Sequence, residues 1–261
     1  FMSETPGERN CMSTNTVRGV VGGLAHRANP AFAGGVVVVV IAAVGYALTV
    51  ASLAHHTYIH VMTGVLWTGI DLFIGAVLGP VIGGLDEEQS AAVFRRLTPK
   101  TSFVLPSLAF ATIATGITLA IRVGLFRHSE PWLALFTAVN LIPVLLLVGW
   151  RLEAWSDRRL QVPFVLVTIG SLAWVGLTIG QFQMTSPAIV VSLAIVTILS
   201  VQGFGFLLPG EIRMYLEMTS EDPDAGVISA IGQQNAKLGG IQGFFQLSLI
   251  LVMVYLRYGG F

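Results

Sequence analysis

The residues best placed to do chemistry lie in one apolar stretch, residues 56 to 83, HTYIHVMTGVLWTGIDLFIGAVLGPVIG. It carries His56, His60, Trp67 and Asp71, then Gly75, Gly79 and Gly83. A helix turns by about 100° per residue, so His60, Trp67 and Asp71 fall on nearly one face. The glycines, four apart, continue that face as a slowly winding stripe of packing surface. Asp71 lies about 16 Å deeper than His60 at 1.5 Å per residue, close to mid-bilayer. An ionisable side chain there costs at least about 2.5 kcal/mol, so it must face protein. No Lys or Arg occurs at that depth, which leaves neutral partners: Asn140, Gln246, Thr112 or Thr115. Two readings are open for the acid: a waypoint for protons or cations, or a hydrogen-bonded tie between helices.

The imidazoles suggest a second chemistry. His55, His56, His60 and His128 all fall at the expected outer ends of helices. His56 and His60 are four apart and share a helical face, the spacing that lets two rings chelate one metal. Met62, Met184 and Met253 fall near the same surface. Thioether plus imidazole suits copper better than magnesium or calcium. The plainer reading puts these histidines among lipid headgroups, with the methionines filling gaps.

The elements that must position these groups are set by composition. Of 261 residues, 54% are hydrophobic and 11% charged, with a mean hydropathy of +0.78. Soluble domains carry about 25% charged residues, so this is an integral membrane chain. Long apolar runs, not alternating short ones, select helices over a barrel. The pattern predicts an all-α polytopic bundle of about seven transmembrane helices, residues 31–261, behind a flexible polar tail at 1–30 with no signal-peptide core. The spans begin at Ala31, Thr57, Thr101, Pro131 and Val162, then after Ser186-Pro187, and last after Asp222-Pro223-Asp224. Pro80, Pro143 and Pro209 are candidate breaks. With the N-terminus inside, eleven Lys and Arg residues fall on cytoplasmic segments, against Arg122, Arg127 and Arg257 outside. The positive-inside rule then gives N-in, C-out, in the plasma membrane. Glu211 to Met218 reads as an interfacial helix, and Gln233, Gln234 and Asn235 as cytoplasm-facing.

Net charge is zero, so no basic field draws nucleic acid. The lone Cys11 allows no intramolecular disulfide. No P-loop, dinucleotide fingerprint, GxSxG or HExxH occurs, which removes nucleotide-driven and common hydrolytic chemistry.

His60-x6-Trp67-x-Gly69 followed by Leu72-Phe73 resembles the opening motif of the CopD-like superfamily of multi-pass membrane proteins, the copper-resistance D domains and related uncharacterised families. The stretch from Glu211 to Glu217 is similar to the inner-end segment of such families. The resemblance implies His60 as a copper or haem b ligand and Trp67 and Gly69 as packing residues. This chain departs from the pattern in having Ile70 where a second glycine is usual and Asp71 where an apolar residue is common. No histidine follows His128, so a second haem ligand would come from His55, His56 or His128, or from Met253. The leading expectation is metal handling or electron transfer near the outer face. The alternatives are a proton- or cation-coupled transporter centred on Asp71, or a non-catalytic subunit held to partners or to copies of itself by its glycine faces.

Overall fold

A backbone in lipid must satisfy its own hydrogen bonds, so each apolar run has to become a helix. The computed structural model describes residues 17–259 and contains helices and no strand among them. Helix α1 is Val17–Ala28 and α2 is Pro30–Thr49. Then follow α3 Leu53–Gly83, α4 Glu87–Arg122, α5 Ser129–Arg151, α6 Arg158–Gln181, α7 Pro187–Met218 and α8 Ala225–Tyr258. The seven from α2 to α8 are long and apolar enough to cross a membrane. An odd number of spans puts the two ends of the described chain on opposite sides.

Helix starts are written locally. Ser52, Asp86, Asp157, Ser186 and Asp224 each accept a backbone N–H of the helix they open, which satisfies one of the free donors at a helix start. Asn29 turns the corner between α1 and α2 at φ 81°, its side chain accepting from Ala31 N.

Helix α1 stands where the sequence suggests a flexible tail. Val20 and Leu24, one turn apart, pack with Tyr215 of α7, and Gly23 lies against the Tyr215 ring. The Arg27 guanidinium sits 6.0 Å above that ring. Cys11 and the rest of residues 1–16 lie outside the described residues.

Two spans change their winding beside a proline. Phe73–Leu78 of α3 and Gly203–Leu207 of α7 are π-helical, and Pro80 and Pro209 follow within two residues. Proline has no N–H and its ring presses on the carbonyl four residues back; a wider turn moves that carbonyl away. Helix α4 instead runs unbroken through Pro99 and Pro106 for 36 residues, about 54 Å against a hydrocarbon core of about 30 Å. Its first turns, with Arg95, Arg96 and Lys100, therefore extend past the membrane on the Lys/Arg-rich side. There Ala91 and Phe94 close a core with Ile82, Met214, Met218 and Ile228, joining the ends of α3, α4, α7 and α8.

Helix α8 packs against α3, α4 and α7, whereas α6 packs mainly on α5. Leu166 and Leu177 of α6 are 66% and 81% exposed, so this helix turns its apolar surface to lipid. The centre of the bundle is the seam between α3, α4, α7 and α8.

Candidate functional site

Asp71 is 2% exposed and lies on the α8 side of α3. Gln246 Nε2 of α8 donates to Asp71 Oδ2 at 2.9 Å, and Trp67 lies one turn back on α3, buried beside the same cavity. Asp71 and Trp67 share the inward face that their spacing implies.

The close approach of α3 and α8 comes from glycine. A Cβ added at Gly75 would land on the Cα and N of Gly240 and 3.1 Å from Ala236 O. At Gly79 it would meet the Ala236 methyl at 3.1 Å, and at Gly83 the Gln233 amide at 3.4 Å. Small residues let helices approach where lipid supplies no hydrophobic drive between them. Gly69 is different. It is exposed, and a Cβ there meets nothing within 4 Å, so the packing role implied for it is not met inside this chain.

Helix α8 turns Ile228, Gly232, Asn235, Gly239, Gln242 and Gln246 inward, steps of four and three that hold one face of a helix. The two outer amides of this row face two different acids. Gln246 holds Asp71, and Asn235 Nδ2 donates at 3.2 Å to Glu211 Oε1 of α7 and at 3.2 Å to the Leu207 carbonyl. Room for the amides on α7 is again made by glycine: Gly203 lies beside Gln242 and Gly210 beside Asn235. The carboxyl of Glu211 also lies 3.4 Å from the hydroxyls of Thr101 and Ser102 on α4.

Asp71 and Glu211 border the same internal cavity, of about 70 Å³, room for a few waters. Its wall includes Trp67, Thr98, Thr101, Ser102, Asn235 and Gln242 and contains no Lys, Arg or His. Beside it the amide oxygens of Asn235, Gln242 and Gln246 are buried with no hydrogen-bond partner among the described residues. The rest of the wall is apolar, with Phe94, Leu105, Leu199 and Phe204 in it, so the two carboxyls and the unpaired amide oxygens are isolated acceptors, with no cation beside them, that suit a proton, a few waters or a small cation.

Several sequence expectations need correction here. Asn140 does not reach Asp71; its Nδ2 donates to Phe136 O at 2.7 Å and to Thr197 Oγ1 at 3.2 Å, tying α5 to α7. Thr112 and Thr115 spend their hydroxyls on carbonyls one turn back, Leu108 O at 2.8 Å and Ala111 O at 2.6 Å. Asn235 does not face cytoplasm: α8 begins at Ala225, and Asn235 is 7% exposed. Glu211 does not lie on a separate surface helix: α7 continues past Pro209 and carries it against α4 and α8. The signal for both was present in the sequence as the run Asn235, Gly239, Gln242, Gln246 at helical spacing.

The histidines do other work. The His60 ring donates from Nδ1 to Thr112 O at 3.1 Å, and His56 from Nε2 to Thr115 O at 3.0 Å. The His56 Nδ1 faces an Arg122 nitrogen at 3.4 Å. The spacing of four thus lets two rings grip successive carbonyls of α4. Gly116 makes the space, since a Cβ there would be 2.6 Å from His60 Cε1. His55 pairs with the Tyr46 hydroxyl at 2.6 Å. His128 adopts the left-handed conformation (φ 52°) at the start of α5. No group of three or more His, Cys, Asp or Glu among the described residues is arranged to hold a metal. Met62 and Met184 are exposed.

No family model, curated protein or solved structure matches this chain, so the reading of the site rests on its own geometry.

Proposed function

We propose that this multi-span membrane protein moves protons or a small cation between mid-bilayer and its Lys/Arg-rich side, with Asp71 as the accepting group. The observation that carries the reading is the cavity: a buried acid at one end, a second acid at the other, and no positive side chain on the wall between them. A purely structural acid gains nothing from a second one across a void. The size of the space narrows the cargo. Sites for organic ligands run to roughly 300–1,000 Å³, whereas this one is about 70 Å³. Membrane-embedded carboxyls of this kind mark ion paths and proton relays, and broken helices often line them. Here the winding of both α3 and α7 changes within the cavity region.

The test is Asp71→Asn in proteoliposomes carrying a pH-sensitive dye, with an imposed ion gradient. Asn keeps the shape and can still accept from Gln246, so folding is preserved while the ionisable group is lost. The expected result is loss of flux. Wild-type flux in the Asn protein would remove the reading.

A second reading keeps copper or haem b at the outer face. It is favoured by the His60 ring, whose Nδ1 proton is held by a backbone carbonyl, the arrangement that leaves Nε2 as a lone pair toward a metal. A complete site would need ligands beyond those that converge in this chain, and no step is derived through it.

A further inference from the structure

We propose that Glu211, with Thr101, Ser102 and the Asn235 amide, is a binding site for a hard monovalent cation of the sodium class, at the inner end of the cavity. The proposal deepens the reading of the cavity given above and rests on it. Every candidate ligand is oxygen, the donor type of hard cations.

The hydroxyl geometry carries the argument. Ser102 Oγ lies 2.8 Å from Thr98 O, and Thr101 Oγ1 lies 3.1 Å from the same carbonyl. Each hydroxyl has one proton, shared between a helix carbonyl and the Glu211 carboxyl. Both also reach Glu211 Oε2, as long donors at 3.4 Å each. That separation is longer than the roughly 2.5–3.0 Å of an O–H···O hydrogen bond. It matches two oxygens that share an ion: ligands about 2.4 Å from one cation and at right angles to each other stand about 3.4 Å apart. An ion seated between these oxygens takes the place of two long, weak hydrogen bonds.

Asn235 supplies the remaining switch. Its Nδ2 now bridges Glu211 Oε1 and Leu207 O, filling with N–H the place of positive charge. Turning the amide over brings Oδ1 toward the same two oxygens and completes an oxygen cage around an ion. A single carboxylate balances a single charge; a dication would leave net positive charge unpaired in the membrane interior. The site stands eleven residues along α8 from Gln246, about 16 Å. An ion at Glu211 and a proton at Asp71 therefore occupy opposite ends of one space.

The experiment is thermal unfolding of the full chain in detergent micelles, titrated with NaCl, KCl or CaCl2 against choline chloride at constant ionic strength. Sodium is expected to raise Tm with saturation. The rise should be absent in Glu211→Gln, shifted to higher sodium in Ser102→Ala, and retained in Asp71→Asn. Ser102→Ala removes one ligand oxygen without touching the acid, so it decides the matter if Glu211→Gln does not fold. A wild-type Tm indifferent to sodium, a calcium response alone, or a sodium response that survives both Glu211→Gln and Ser102→Ala would overturn the proposal. Flux that depends on Asp71 but not on sodium would sink this site and leave the cavity reading standing. Loss of both would sink the two together.

Discussion

Replacing Gly75 by alanine adds one methyl group, yet it should be among the most damaging single changes in the chain. The new Cβ would fall on the backbone of Gly240 and within 3.1 Å of Ala236 O. Neither obstacle is a movable side chain, so α3 and α8 must part. Overpacking of this kind costs about 1–3 kcal/mol, and each kcal/mol lowers Tm by roughly 2–4 °C in a chain of this size. The same separation acts on the site one turn away. The Gln246–Asp71 hydrogen bond is 2.9 Å long, and an opening of about 1 Å carries it beyond the range of a hydrogen bond. Gly75→Ala should therefore lower both the Tm in micelles and the Asp71-dependent flux. Gly69→Ala is the control on the same helix. It faces outward with nothing within 4 Å, and exchanging a mid-helix glycine for alanine adds about 0.5–1 kcal/mol of stability. If Gly75→Ala unfolds at or above the temperature of Gly69→Ala, the α3–α8 crossing is not the close backbone contact described, and the reasoning fails.

Gln246→Leu removes the 2.9 Å donor to Asp71 and should cost about 1–3 kcal/mol for a buried acid left short of a partner. Its Tm should fall more than that of a lipid-face change such as Leu177→Ala, compared in the same micelle assay. His60→Ala takes away one grip on α4, about 0.5–1.5 kcal/mol, and should retain flux. Metal analysis and an absorption spectrum of the wild type and His60→Ala decide the copper or haem reading: a bound metal or haem lost on that substitution would establish it. Together with Asp71→Asn in proteoliposomes and the sodium titration of Glu211→Gln, these measurements separate a cation path from a metal site.

The sequence by itself determined the class of molecule. Runs of about twenty apolar residues leave the backbone no partner but itself in lipid, so the helical bundle and its seven spans followed from composition and length. It also determined which face of α3 turns inward, because Asp71 cannot be left in hydrocarbon and His60 and Trp67 share its face. Helix α1 was hidden because its apolar stripe is short and its contact surface, Tyr215, lies far along the chain. Which partner holds Asp71 was beyond the sequence, since Asn140 and Gln246 offer the same chemistry and only the packing order of the helices chooses between them. The second acid was decided by tertiary structure as well. Glu211 follows a proline-glycine pair that reads as the end of a span. The π turn at Gly203–Leu207 lets α7 continue, and the close seats that glycine provides between α3, α7 and α8 bring Glu211 and Asp71 to one cavity. Local periodicity specifies which face of a helix is buried; which other helix covers that face depends on contacts between residues far apart in the chain.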